Sequence, residues 1–142
     1  MKAFLLAVLA VGTLASGAAA AEHTINLFHP DGAYRFNPPF LKIEPGDTVI
    51  FPTTICQESS SIEGGIPQGA EGWDGSIDKE IRVTLTVEGL YAYRCQPQFA
   101  DGMVGLIQVG ESTANAEAIA GLKMPPKAKA KMEELLRLAT GD

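Results

Sequence analysis

Residues 80–95 read EIRVTLTVEGLYAYRC, and their hydropathy pattern decides the fold class. Apolar and polar side chains alternate through the first half, with Ile81, Val83, Leu85 and Val87 on one side and Arg82, Thr84 and Thr86 on the other. Such alternation is typical of a β-strand that buries one face. A Glu-Gly pair then interrupts the pattern before it restarts, which predicts two strands joined by a turn.

Other short segments between residues 24 and 109 also have the composition of strands: 25–28, 40–43, 48–51 and 104–109. The segment EPGD at 44–47 predicts a turn, because Pro45 presets φ at the second position and Gly46 accepts a positive φ at the third. Residues 57–73 are polar and rich in glycine, which predicts a long loop. Short strands separated by Pro and Gly turns predict an all-β sandwich or barrel.

Two helices are predicted after Gly110, where the composition changes to Ala, Lys, Glu and Leu. Pro126 suits the first turn of a helix, and Gly141 suits its end. Apolar residues recur between them at helical period, at Ala128, Met132, Leu135, Leu136 and Ala139. A shorter helix is predicted around residues 115–122. We expect residues 112–142 to form a helical extension packed on the sandwich.

The first 20 residues have the pattern of a secretory signal peptide, with one basic residue, an apolar run and a tract of small residues. Cleavage after Ala20 and cleavage after Ala21 both fit this pattern. The apolar run is short for a membrane anchor, and no later stretch approaches the roughly 20 apolar residues that spanning requires. The sequence therefore predicts an exported, soluble and monomeric protein without membrane insertion.

Charge and motif content exclude several function classes. The chain has a formal net charge of −6, and a nucleic-acid partner is excluded because phosphate binding depends on clustered Lys and Arg. No arrangement of Ser, His and an acid indicates an enzyme. The tetrad CQPQ at 95–98 lacks the second cysteine of a CxxC redox motif. The two cysteines, Cys56 and Cys95, form a disulfide by default in an oxidising compartment.

The segments FLKIEPGDTVIFPTT, IPQGAEGW, GLYAYRCQPQFADGMVGLIQVG and ANAEAIAGLKMPPKAKAKMEELLRLA resemble pseudoazurins, bacterial periplasmic members of the cupredoxin family. The resemblance covers nearly the whole chain after residue 20. It implies an eight-stranded Greek-key β-sandwich over residues 21–111, followed by two C-terminal α-helices. It also implies a type 1 copper site, electron transfer to a periplasmic redox partner, and a periplasmic location.

The resemblance also assigns the positions of the copper ligands. Cys95 falls on the thiolate ligand and Met103 on the axial thioether, while Gln98 and Gln57 fall where the family has its two histidines. Cys56 falls on the small residue before the first histidine. Both imidazoles are therefore replaced by amides, which puts copper binding itself in question.

Three hypotheses for this altered site stay open. The first, which we favour from the sequence, is a Cys56–Cys95 disulfide that would replace the metal and leave a non-blue binding module. Reduced Cys56 and Cys95 with Met103 would make a soft sulfur site for Cu(I), serving a copper-handling partner, with Gln57 or Gln98 as a neighbouring donor. The third hypothesis is the family's type 1 copper electron-transfer protein.

The two histidines lie far in sequence from Cys95. If the leader is cut after Ala20, the mature chain begins Ala21-Glu22-His23, which offers an amine, two amides and an imidazole in a set suited to Cu(II). The alternative is that His23 belongs to the frayed start of the first strand. His29 precedes a PDG turn and is predicted to be a surface residue.

Overall fold

The computed structural model describes residues 19–28, 30–54 and 57–142, in which two β-sheets form a sandwich. One sheet has the order β1 (Glu22–Thr24), β3 (Thr48–Phe51) and β5 (Ile81–Thr84). The other has the order β2 (Phe40–Ile43), β7 (Val104–Val109), β6 (Gly89–Arg94) and β4 (Ser60–Ser61). Strands β1 and β3 are parallel, as are β2 and β7, and the other pairs are antiparallel.

The predicted all-β fold is confirmed, with one strand displaced. Gly46 has φ +95°, and the Asp47 amide donates to the Glu44 carbonyl at 3.1 Å, as the predicted turn requires. The strand predicted at 25–28 is wrong: β1 lies just before it. The Ile25 amide still donates to the Ile50 carbonyl, but Asn26 then pairs with Asn37, so the chain leaves the sheet there.

A first core fills the space between the two sheets. Five aromatic rings pack within 4.6 to 6.4 Å of one another, at Phe36, Phe51, Trp73, Tyr91 and Tyr93. The alternation in β5 is confirmed, because Arg82 and Thr84 are exposed whereas Ile81 and Val83 are partly buried. Cys95 and Met103 belong to the same buried cluster, at one end of the aromatic core.

A second core lies under the two helices α1 (Ala116–Ala120) and α2 (Pro126–Thr140). The predicted stripe of α2 is confirmed, because Ala128, Met132, Leu135 and Leu136 are buried. They contact the outer face of β6 and β7, so those strands are buried on both faces and read as nearly continuous apolar runs. Among the described residues, no helix has the length and apolarity to cross a bilayer.

Candidate metal centre

The loop between β6 and β7 is held in a fixed shape by its own backbone. The Cys95 amide donates to the Met103 carbonyl at 3.0 Å, and the Met103 amide donates to the Gln98 carbonyl at 3.1 Å. Between them, Gln96–Asp101 forms a short 3₁₀ helix, which ends at Gly102 with φ +92°. This arrangement places Cys95 and Met103 side by side as the loop leaves and rejoins the sheet.

Cys95 is a free and fully buried thiol. Its Sγ donates a hydrogen bond to Gln57 Oε1 at 2.9 Å. Burial raises the pKa of the Cys95 thiol, and the charge of Glu58 adds to the rise; hydrogen bonds from the backbone amides of Glu58 and Gln98 only partly offset it. The thiol is therefore protonated at neutral pH, and a ligand that needs the thiolate must displace its proton.

Gln57 reaches the same point from the loop that follows β3. Its side chain is 1% exposed, and its backbone amide donates to the Thr54 carbonyl at 3.2 Å. Oε1 accepts from the Cys95 thiol, but Nε2 is buried and has no hydrogen-bond partner among the described residues. A buried amide with an unpaired donor destabilises a protein by about 1–3 kcal/mol. Gln57 is thus poorly explained as a structural residue.

Glu58 joins the two loops of the site, a role the sequence analysis missed. One carboxylate oxygen accepts from the Ser60 hydroxyl at 2.5 Å, and the other accepts from the backbone amide of Gln96, next to Cys95. Its neighbour Ser59 accepts from the indole N–H of Trp73 at 3.1 Å. The polar run QESSS at 57–61, between β3 and β5, was the available signal, because buried polar groups need such partners.

The remaining two predicted positions differ in exposure. Met103 is 3% exposed and packs in the same core cluster as Cys95. Gln98 lies on the 3₁₀ helix and is half-buried, and no hydrogen bond joins its side-chain amide to another described residue. Next to it, the Phe99 ring lies 5.2 Å from the Arg94 guanidinium carbon. Cys95 and Met103 are therefore buried, whereas Gln98 is partly exposed to solvent.

The structure does not support the predicted Cys56–Cys95 disulfide. Cys95 is a free thiol that is hydrogen-bonded to Gln57, and Cys56 lies outside the described residues. His23 is placed on β1 in the other sheet, where its Nε2 lies 2.9 Å from Asp47 Oδ2, and His29 lies outside the described residues. The described residues hold no group of three or more His, Cys, Asp or Glu side chains arranged to bind a metal.

Residues 23–110 match the family of copper binding proteins described as plastocyanin/azurin family. This chain belongs to that family. It is 37% identical over 123 residues to a pseudoazurin of Paracoccus pantotrophus, which covers 84% of this chain and 85% of that protein. It is 36% identical over 135 residues to a putative pseudoazurin of Rhizobium leguminosarum bv. viciae, covering 92% and 89% of the two chains.

Solved structures agree with the sequence comparisons. A pseudoazurin from Sinorhizobium superposes with a TM-score of 0.77 at 38% identity, covering 86% of this chain and 99% of that one. A pseudoazurin from Methylobacterium extorquens AM1 gives a TM-score of 0.76 at 28% identity, covering 82% and 98%. The chain is therefore a pseudoazurin-like cupredoxin. Pseudoazurins and plastocyanins are electron-transfer cupredoxins, so the chain is not an enzyme.

The donor set does not fit a type 1 copper site. Such a site needs one thiolate and two imidazoles in a trigonal plane, with a weak axial ligand. Here the thiol of Cys95 faces the amide of Gln57, and the other predicted imidazole position is the amide of Gln98. Amide oxygens are hard, neutral donors, whereas Cys95 and Met103 are soft. The residues present therefore fit a soft monovalent ion better than a site that cycles between Cu(II) and Cu(I).

Proposed function

We propose that this chain is a periplasmic, non-blue cupredoxin that binds Cu(I) as cargo at Cys95 and Met103 and passes it to a copper-handling partner. The observation that carries the proposal is the contact of the free, buried Cys95 thiol with the Gln57 amide. A thiol and a thioether lie in the same buried cluster, and both are donors that select Cu(I). The periplasmic location rests on the family and on the predicted signal peptide at residues 1–20.

Gln57 suits both protonation states of Cys95. In the structure its Oε1 accepts from the thiol, which matches the form without metal. When Cys95 loses its proton, rotation of the amide about its last torsion brings the unpaired Nε2 to the sulfur, and an N–H donor then faces a thiolate. The atom that has no partner in the structure thereby gains one. Metal binding is accordingly coupled to the release of one proton.

Cys56 is the third sulfur donor in the proposal. It directly precedes Gln57 in the sequence and lies outside the described residues. A disulfide between Cys56 and Cys95 is the competing form, and it would leave neither sulfur for copper. The free state of Cys95 favours the reduced form.

The exposed side of the site suits transfer of the ion. Gln98 is half-buried without a side-chain partner, and Asp101 is exposed on the same 3₁₀ helix. A partner that offers a thiol or thioether can therefore approach past Gln98, while Cys95 and Met103 stay packed in the core.

The test is a competition titration of the exported, reduced protein against a chromophoric Cu(I) chelator. The wild type is expected to bind one Cu(I), and Cys95→Ala is expected to abolish this binding. Met103→Leu should weaken it by about tenfold or more, since it removes a donor without changing the apolar volume. Met132→Leu is the matched control, because Met132 is equally buried but lies on α2 in the second core.

A wild type that takes no Cu(I) from the chelator would refute the proposal. Equal affinities in Met103→Leu and Met132→Leu would remove Met103 from the site. Cys56→Ala tests the third sulfur separately, and the proposal expects weakened binding by that variant also.

A further inference from the structure

The carboxylate of Asp47 is surrounded by donors from the start of the described chain. Its Oδ1 accepts from the Ala21 backbone nitrogen at 2.9 Å, and its Oδ2 lies 2.9 Å from His23 Nε2. The Glu44 amide donates to Oδ2 at 3.1 Å. Asp47 is only 6% exposed, so an acidic side chain is held inside the protein by these contacts.

Ala21 lies immediately before the first strand, a position suited to the start of the mature chain. The Ala21 carbonyl accepts from the Thr48 amide at 2.9 Å, and β1 begins at the next residue. Ala20 and Ala21 are both exposed and lie outside any strand or helix. Ala18 and Ala20 are small residues at the two positions that a signal-peptide cleavage site requires.

We propose that Asp47 is the binding site for the mature N-terminus, produced when the export machinery's peptidase hydrolyses the bond between Ala20 and Ala21. Water adds across this amide: its hydroxyl goes to the Ala20 carbonyl carbon, and its proton goes to the Ala21 nitrogen. A second proton from solvent then makes the ammonium. The neutral N–H···O contact to Asp47 becomes a charge-assisted ion pair at a distance normal for one.

Cleavage one residue later would destroy this arrangement. It would remove the nitrogen that binds Asp47 and the carbonyl that accepts from Thr48. The new end would be Glu22, whose side chain instead pairs with Arg82 across the sheet. Asp47 thus distinguishes the two cleavage sites that the sequence leaves open.

The same contacts argue against Cu(II) binding at the Ala21-Glu22-His23 sequence. That site would need the free amine and the His23 imidazole on one metal ion. In the structure both nitrogens are held by the two oxygens of Asp47. We therefore expect the N-terminus to be a structural anchor of β1.

The test compares exported wild-type protein with a variant that has two glycines inserted between Ala20 and Ala21. Intact mass should place the wild-type N-terminus at Ala21. The insertion keeps the cleavage motif but puts an amide, not an ammonium, beside Asp47, and the thermal midpoint should fall by a few degrees. In an Asp47→Asn background the insertion should have no effect, whereas in the matched control Asp101→Asn it should act as in wild type.

A second readout does not depend on the folding of the Asp47 variant. The α-amine of the wild type should react with an amine-specific acylating reagent several-fold more slowly than the amine of the glycine-inserted protein. Equal reactivity and equal thermal midpoints, or a wild-type N-terminus other than Ala21, would overturn the proposal. All measurements use protein without added copper, so they are independent of the proposed Cu(I) binding.

Discussion

Replacing Gln57 by leucine tests whether this amide is kept for function at the expense of stability. The side chain is 1% exposed, its Oε1 makes one hydrogen bond to a thiol, and its Nε2 makes none. Losing the hydrogen bond destabilises the metal-free protein by about 0.5–1.5 kcal/mol, whereas removing the unpaired donor recovers about 1–3 kcal/mol. Gln57→Leu should therefore stabilise the reduced, metal-free protein by about 1 kcal/mol.

The assay is urea unfolding of the reduced protein, followed by Cu(I) competition on the same variant. The midpoint should rise at unchanged slope, while Cu(I) affinity falls by about tenfold, as for loss of a group that orients a metal ligand. Gln98→Leu is the control, since a half-exposed amide should change stability by less than about 0.5 kcal/mol. A loss of stability in Gln57→Leu would show that the amide is structural and would refute the reasoning.

Three further outcomes follow from the structure. The double variant Gln57→His, Gln98→His restores two imidazoles, so it should develop an intense visible band with Cu(II) that the wild type lacks. A colourless double variant would contradict the assignment of residues 57 and 98 to the two histidine positions of the family. Tyr93→Phe should leave the thermal midpoint unchanged or raise it, because the buried Tyr93 hydroxyl has no partner in the described residues. Gly105→Ala should instead lower the midpoint strongly, because the added Cβ would lie 2.1 Å from that hydroxyl. Hydrogen bonds from the Ala21 nitrogen, His23 and the Glu44 amide lower the pKa of Asp47. The stability that Asp47 contributes is therefore complete above its unfolded pKa near 4 and is lost as the pH falls through the lower folded pKa. Asp47→Asn should reduce this loss of stability at acid pH, and an unchanged pH dependence would exclude Asp47 as its source.

The fold could be predicted because its signals are local. The alternation around Ile81 and Val83 and the helical stripe through Met132 each reflect one buried face, and both faces are buried as expected. The start of the first strand was misplaced because Ile25 and Leu27 are buried core residues whether or not their backbone joins a ladder. Apolar residues indicate which side chains are buried. Whether their backbone joins a sheet depends on the segment that pairs with it.

The site was harder to predict because its important contacts join residues 38 positions apart. The sequence placed Cys95 and Gln57 at the same site through the family resemblance, and the structure joins them by a hydrogen bond. The hydrogen bond from the Gln96 amide to Glu58 was missed because the polar run around Glu58 does not indicate which distant group it binds. The disulfide hypothesis came from counting cysteines, and such a count contains no information on where the sulfur atoms point.

The central claim is that a reduced sulfur site for Cu(I) has replaced the type 1 copper site. The most direct measurement is a count of thiols and copper on the exported, correctly processed protein, with its visible spectrum recorded before and after copper is added. The account predicts two thiols in the denatured protein and one tightly bound, colourless copper that survives removal of excess metal. An intense visible band that bleaches on reduction, or a protein with neither free thiols nor copper, would contradict it.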